Sequence, residues 1–373
     1  ALDGLMRIAL VLPGFSAHSA DWAIPALQQL ALSLNKHHEV TVFSQRYPAS
    51  GRYRLNGIDH LASGGSQRFG LASVKIWLRS CGTIIRQHQQ TPFDVVHAFW
   101  ADEAGFSAAL AGAIIRRPVV VSIGGGELSC LPEIAYGAQR YLARRLTTRV
   151  ALKLAVRVTA GSTYQLNLCR AFSLTENSLR WAPLGVDTNR FRLRPEVRRA
   201  RPVVAQAASL LPVKNQALLL KVVARARKQL PALKLHLAGD GPNQEQLRQL
   251  AYQLNLSQNI VWHKQVPYPR MPAFYPEAAL YVQTSYHESQ GMAVLEAMAC
   301  GLPVAGTPVG VLPDVSSLPP RRDSQMLAEQ VVGLIGDDDR YRMLSEQARM
   351  IAVDKYGLPV TTRNFLDIYS EIL

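Results

Sequence analysis

Short apolar, β-branched runs alternate with segments of helical spacing from one end of this chain to the other, and that alternation restricts its fold more than any other feature. In the first half the strand-like runs fall at 7–12, 39–43, 95–98, 118–123 and 157–160, with helical stretches such as 22–34 and 106–115 between them. The scheme restarts at 203–208 and continues through helix 216–229, strand 234–238, helix 243–254, strand 260–263, helix 271–275, strand 279–285, helix 291–299, strand 303–306 and helix 324–335. Parallel strands need a crossover, and a helix is the usual one. Repeated β-α alternation therefore predicts parallel sheets with helices on both faces, an α/β chain. The polar, Arg- and Pro-rich stretch 187–202 separates the two arrays and is the expected linker, and 373 residues suit two domains.

The densest chemistry lies in Glu288-Ser-Gln-Gly-Met-Ala-Val-Leu-Glu296, which follows the strand-like run 279–285. Helical spacing then holds until Gly301, a natural residue to end a helix, with Pro303 barring its continuation. Glu288 thus falls in the loop at the carboxyl end of a strand, where ligands of open α/β sheets bind. Glu296 falls more than a turn into the next helix. The amides of Gln290, Gly291, Met292 and Ala293 open that helix without intrahelical acceptors and can receive an anion. Two carboxylates beside an anion-binding helix start suit a ligand that carries both phosphate and hydroxyls, as a nucleotide sugar does. The alternative is a loop Glu and a helix Glu that only cap or solvate. Lys214 projects from the loop after the first strand of the second half, at the same edge, where its ammonium can pair with diphosphate oxygens. A solvated loop lysine is the plain alternative. Gly239 and its neighbours in Ala238-Gly-Asp-Gly-Pro242 allow a tight turn near a ligand, or are simply a turn.

The net charge of +14 favours anionic partners. Much of it clusters at 140–157, where Arg140, Arg144, Arg145, Arg149, Lys153 and Arg157 recur about every four residues beside Leu142, Leu146, Val150 and Leu154. Such a helix either packs its apolar side on the sheet or lies on an anionic membrane surface. A single aromatic, Tyr141, falls among the arginines, too few for base stacking, so nucleic acid is not the favoured partner. No apolar run approaches the length of a membrane span. The segment 6–12 runs straight into a Pro-Gly turn and reads as the first strand, not as a leader. Cys81, Cys130, Cys169 and Cys300 are scattered without metal-ligand spacing, so no metal site is expected and the thiols suit a reduced, cytoplasmic setting, peripheral to the inner membrane face at most.

The series Ser209-x4-Lys214-Asn215, Ala238-Gly-Asp-Gly-Pro242, Glu288-x7-Glu296 and Ala297-Met-Ala-Cys-Gly301-Leu-Pro-Val-Ala-Gly-Thr307 resembles glycosyltransferase family 4. The first half adds looser matches: Pro13-Gly14, Asp94-Val-Val-His97 and Ala160-Gly-Ser162. The resemblance implies the GT-B architecture, two Rossmann-like, doubly wound parallel-sheet domains facing a cleft. On that basis 1–186, with 357–373 crossing back onto it, is the acceptor domain, and 187–356 is the donor domain. It also implies a retaining transfer from a nucleotide-diphosphate sugar, UDP-linked for preference, with no catalytic metal and no other cofactor. The acceptor is then a hydroxyl of a glycolipid, polysaccharide or small-molecule glycoside.

Carried over by position, Lys214 binds the donor diphosphate, Glu288 the donor-sugar hydroxyls and Glu296 the ribose. The backbone from Ser289 through Ala293 meets phosphate and sugar, with Ser209, Asn215, Gly239 and Val266 completing the donor contacts. Gly14 is the close-approach glycine of the first domain. His97, at the end of a strand, is expected to touch donor or acceptor, or else to be a satisfied core histidine. Gly125, Gly126 and Glu127 are candidate acceptor contacts. Two departures stand out. Ser209 occupies the place where the family often has an arginine, with Arg270 or His263 as possible substitutes. The loop Val121-Ser-Ile-Gly-Gly-Gly-Glu-Leu128 stands where a histidine is frequent. Two other readings are compatible with the residues: a GT-B phosphorylase or epimerase, and a non-catalytic protein that binds anionic surfaces on the same scaffold. A nicotinamide dehydrogenase is disfavoured, because the first βα turn, Leu12-Pro-Gly-Phe-Ser-Ala-His18, lacks the Gly-x-Gly-x-x-Gly loop.

Overall fold

The computed structural model of the chain describes residues 4–65, 71–193 and 202–373. It divides into two compact units: residues 1–185 with 358–373, and residues 186–357. Among the described residues, the first unit holds a sheet of eight strands: β1 (Arg7–Gly14), β2 (Glu39–Tyr47), β3 (Gly51–Leu55), β4 (Ile58–Ala62), β5 (Val95–Phe99), β6 (Val119–Ile123), β7 (Arg157–Ala160) and β8 (Leu179–Trp181). Their spatial order is β3-β4-β2-β1-β5-β6-β7-β8, and every pairing is parallel except β3 with β4. The second unit holds β9 (Val203–Ala207), β10 (Lys234–Ala238), β11 (Ile260–His263), β12 (Leu280–Gln283) and β13 (Val304–Gly306), ordered β11-β10-β9-β12-β13 and wholly parallel.

Alternate residues of the central strands enter cores on opposite faces, as the two-residue period of a strand demands. In β1, Ile8, Leu10 and Leu12 join one core while Ala9 and Val11 join the other. In the second unit Val204, Leu280 and Val282 face one core, and Val203, Ala205 and Tyr281 the other. The strands are buried on both faces, which is why they read as continuous apolar runs.

The hairpin β3–β4 is an addition to the expected strand list. Its turn is Asn56-Gly57, with φ of 49° and 85°. Asn-Gly between β-prone runs is a strong hairpin signal, since both residues accept the left-handed conformation that a two-residue loop needs. The stretch 187–202 is not a free linker. Residues 194–201 lie outside those described, and the part before them is held inside the second unit: Arg349 donates to the carbonyls of Phe191 at 2.8 Å and Thr188 at 3.1 Å. The last helix, Leu358–Ile372, belongs to the first unit and buries Phe365, Ile368 and Tyr369 in the core beside β1 and β5.

The basic segment also differs from expectation. Arg140 lies in the short turn Ala138–Arg140 and Arg157 in β7, so the helix itself spans Leu142–Leu154. It packs inward through Thr147, Thr148, Ala151 and Leu152. The leucines of the expected sheet-facing side point away: Leu142 is 81% exposed and Leu146 63%. No helix among the described residues is long and apolar enough to cross a membrane.

Candidate functional site

The polar groups of the second half converge on the point where the strand order of its sheet reverses. β9 and β12 are neighbours there. The chain leaves β9 towards β10 and β11 on one side, and β12 towards β13 on the other. The loops after these two strands therefore diverge at their carboxyl ends and open a crevice. The loop after β9 carries Ser209, the turn Pro212–Lys214 and Asn215, whose left-handed backbone (φ 47°, ψ 48°) starts the helix Gln216–Ala226. The loop after β12 carries Ser285, Glu288, Ser289, Gln290 and Gly291 and leads into the helix Met292–Ala299.

The two loops are fastened together. Tyr286 N donates to Val213 O at 2.8 Å, and the Thr284 hydroxyl donates to Lys214 O at 3.3 Å. Their side chains meet as well: Lys214 Nζ donates to Glu288 Oε1 at 2.6 Å, and Ser285 Oγ donates to the same oxygen at 2.7 Å. With side chains 22% and 13% exposed, the pair is shielded yet still reachable from solvent. A cavity of about 60 Å³ opens beside it, lined by Ala207, Lys214, Ser285, Glu288 and the start of the helix at Gly291, Met292 and Ala293. Val294 N donates to Gly291 O, so the Met292 and Ala293 amides precede the first intrahelical acceptor and keep the positive end of the helix at this cavity.

Gly239 supports this loop cluster from β10. Its φ is 144°, and a Cβ there would sit 1.9 Å from Ala208 O, so only glycine lets the β10 loop lie against the segment carrying Ser209. Leu210 N donates to Asp240 O at 2.8 Å across the same contact. Ser209 itself is exposed. The proposed substitutes for the absent arginine do not reach the small cavity. The His263 ring packs edge-on against Phe274 with its Nε2 buried, and Arg270 stands exposed on the turn Tyr268–Arg270. Val266 is half-buried and packs against the core of its unit.

Glu296 lies on the second turn of the helix. Its Oε2 accepts a hydrogen bond from the Tyr275 hydroxyl at 2.6 Å. Burial pushes its carboxyl up to about 7, with the Tyr275 hydrogen bond pulling the other way. At neutral pH this group is poised between a hydroxyl-accepting carboxylate and a neutral acid.

The first unit corrects one assignment and recasts two others. His97 is not at a cleft. It is wholly buried in β5, with Nδ1 hydrogen-bonded to the Tyr369 hydroxyl at 2.6 Å and Nε2 to Ser122 Oγ at 2.7 Å. Burial pushes its pKa down to about 3, so it is a neutral tie between the sheet and the last helix. Glu127 is a clasp inside its own loop. Its carboxylate accepts from the amides of Ala101 at 3.2 Å, Gly124 at 2.9 Å and Gly125 at 2.7 Å, and burial raises it to about 7. Gly14 ends β1, and a Cβ there would meet Tyr47 Cβ at 3.4 Å and Tyr47 O at 3.7 Å, ordinary contacts, so its own unit does not demand glycine.

The tri-glycine run is explained by two aromatic rings. A Cβ on Gly124 or Gly125 would strike the Trp100 indole at 2.9 or 2.5 Å, and one on Gly126 would strike the Tyr136 ring at 2.7 Å. Trp100, just after β5, has φ of 71°, a left-handed conformation that costs a bulky residue about 1–3 kcal/mol. Trp100, Tyr136, Gly126 and Glu127, with Trp77, Asp102 and Arg144, line a cavity of about 630 Å³. Sequence reasoning missed Trp77, Trp100 and Asp102, because neither an aromatic in an apolar segment nor a lone aspartate before a helix carries a signal of the cavity it will face.

Comparison with known proteins places this geometry. Residues 188–350 match the pattern described as glycosyl transferases group 1, and residues 26–190 match glycosyltransferase family 4. The chain belongs to glycosyltransferase family 4 and has the GT-B fold. It is 25% identical over 358 residues, covering 88% of this chain and 90% of the other, to a GDP-mannose-dependent alpha-(1-6)-phosphatidylinositol monomannoside mannosyltransferase of Mycolicibacterium smegmatis. It is 30% identical over 212 residues, about half of each chain (51% and 49%), to a D-inositol 3-phosphate glycosyltransferase of Thermobispora bispora. Anabaena HepE, solved in complex with UDP and glucose, superposes with a TM-score of 0.77 at 19% identity, covering 98% of this chain and 100% of that one. A sucrose-phosphate synthase from Thermosynechococcus elongatus superposes with a TM-score of 0.79 at 18% identity, covering 98% of each.

Proposed function

We propose that this glycosyltransferase takes its sugar from a nucleotide-diphosphate donor, UDP-linked, and transfers it with retention of anomeric configuration to a hydroxyl acceptor without a catalytic metal. The single observation that carries this reading is the Lys214–Glu288 pair beside the start of the helix Met292–Ala299. In the free protein the two groups neutralise each other. A nucleotide-diphosphate sugar offers each a better partner: diphosphate oxygens for Lys214 and the helix amides, sugar hydroxyls for Glu288. Glu296, next along the helix, accepts from the ribose hydroxyls in its ionised form.

In the transfer itself the C1–O bond to the diphosphate breaks and a bond from the acceptor oxygen to C1 forms on the same face. The acceptor proton passes to the departing diphosphate oxygen. In this reading the departing diphosphate itself acts as the base for this step. It positions the donor and stabilises charge growing on the leaving group through Lys214 and the helix start.

The name of the Mycolicibacterium relative favours GDP as a second reading of the base. Thermal stability against UDP, GDP, ADP and CMP and their sugar conjugates decides it. A ligand at about 100 times its dissociation constant adds about 2.7 kcal/mol. Stabilisation by a single diphosphate series identifies the base, and no shift with any of them removes the donor assignment.

The helix Leu142–Leu154 presents Leu142 and Leu146 outward among Arg145, Arg149 and Lys153. This pattern supports peripheral docking of a cytoplasmic protein on an anionic membrane, and with it a lipid-linked acceptor.

A further inference from the structure

The helix Leu142–Leu154 and the end of the helix Thr163–Ala171 flank another cavity of the first unit, of about 630 Å³. Each of these helices joins two parallel strands, so each runs from the carboxyl edge of the sheet to its amino edge. The cavity therefore lies on the helical face of the unit. It reaches the edge remote from the strand-end loops, where Ala171 to Leu174 turn towards β8.

One wall is cationic. Arg145, Arg149 and Lys153 stand about a turn apart, roughly 6 Å per step along the axis. Arg145 is fixed at one end by a hydrogen bond from its Nε to Gln139 O. The floor is apolar, made of buried Leu152 with half-buried Phe172 and Leu174. Among the described residues no acidic side chain lines the cavity. Glu176, just beyond Leu174 in the chain, is held instead by Arg170 at 2.7 and 3.1 Å. Like charges four residues apart on a helix repel, and an anion bound among them relieves that repulsion.

The lining narrows the occupant. Inorganic phosphate would satisfy the wall and leave the apolar floor uncovered. A nucleic-acid strand needs several stacking surfaces, and the lining offers one ring, Phe172. A phosphate monoester carries about 1.5 to 2 negative charges and three acceptor oxygens, a match for three cations. Leu142 and Leu146, 81% and 63% exposed, each precede a cation of the wall by three residues and so neighbour it on the helix surface. Apolar surface thus continues from the cavity to the face that meets a membrane in the reading above.

We propose that this groove is the headgroup site for a phospholipid ending in a phosphate monoester. Arg145, Arg149 and Lys153 take the phosphate, the apolar floor lies under the glycerol carbons, and Leu142 and Leu146 enter the acyl layer beside it. This inference rests on the membrane-docking reading and names the lipid class for it.

Sedimentation of the full chain with phosphatidylcholine vesicles tests it, one set carrying phosphatidate and the other phosphatidylglycerol at matched zeta potential. The wild type is expected to bind the phosphatidate set about tenfold more tightly. Arg149→Gln with Lys153→Gln removes that preference. Both side chains are exposed, so this variant keeps its melting curve and its nucleotide-induced thermal shift. Leu142→Ser with Leu146→Ser weakens binding to both sets and retains the preference. Equal affinity of the wild type for the two sets overturns the headgroup site while leaving membrane docking in place. A preference that survives Arg149→Gln with Lys153→Gln overturns it as well. Stabilisation of the vesicle-free protein by micromolar sn-glycerol 3-phosphate, lost in the same variant, would assign the cavity to a soluble phosphate ester instead. No sedimentation with either set removes the docking reading and this inference together.

Discussion

The two units are wound on the same scheme, but their carboxyl edges are prepared for ligand in opposite ways. At the second unit's edge the polar groups already hold one another: Lys214 on Glu288, Ser285 on Glu288, Tyr275 on Glu296, around a cavity of only about 60 Å³. At the first unit's edge the polar groups serve the loop. Glu127 buckles three amides, and aromatic rings on bare glycine backbone leave a cavity of about 630 Å³. One edge is electrostatic and compact, the other roomy and largely apolar. A charged diphosphate is best met by groups fixed in advance.

Glu288→Gln attacks the electrostatic edge directly and carries the largest expected effect. Turnover falls by about two orders of magnitude or more, with the melting curve retained. Wild-type transfer by a folded Glu288→Gln protein removes Glu288 from the site. Lys214→Ala acts on binding more than on folding and raises the donor KM about tenfold, the value of one charge-assisted hydrogen bond. Unchanged donor saturation would reduce Lys214 to a loop residue.

A smaller effect follows from Glu296. With its carboxyl raised from 4.5 to about 7, the folded protein holds a proton there that the unfolded chain releases. Its contribution to stability is therefore full below about pH 4.5 and is lost as pH rises towards 7. Nucleotide binding runs the other way, because ribose hydroxyls need the carboxylate, so affinity strengthens between about pH 6 and about pH 8. Tyr275→Phe removes the hydrogen bond that lowers this pKa and moves the midpoint upward. A pH-independent affinity in the wild type would contradict the role given to Glu296.

The smallest effect on the folded chain belongs to Leu142→Ser with Leu146→Ser. Both side chains already face solvent, so stability changes by no more than about 0.5 kcal/mol. Sedimentation with anionic vesicles, by contrast, drops several-fold if this face docks on membrane. Equal sedimentation of the variant and the wild type would leave the leucines without a membrane role.

The α/β class, the two-array organisation, and the placement of Lys214, Glu288 and Glu296 at one sheet edge can all be read from the order of residues along the chain. These are local matters. Period-two and period-3.6 patterns identify strands and helices, and in a parallel sheet every loop that follows a strand lies on the carboxyl side. Tertiary structure decided whatever depended on which surfaces meet. His97 stands at a strand position that reads equally well as cleft or core, and only packing against the last helix, through Tyr369, makes it core. The basic helix has an apolar stripe that reads as its inner face, yet Thr147, Thr148, Ala151 and Leu152 are what pack inward, chiefly on the helix Glu103–Ile115, and the leucines are left outside. The three glycines were legible as a loop with candidate acceptor contacts, but their packing role required Trp100 and Tyr136, which lie 24 residues before and 10 residues after the run's ends and reach it only in the folded unit. Periodicity reports which residues share a face; what that face touches is settled by long-range packing.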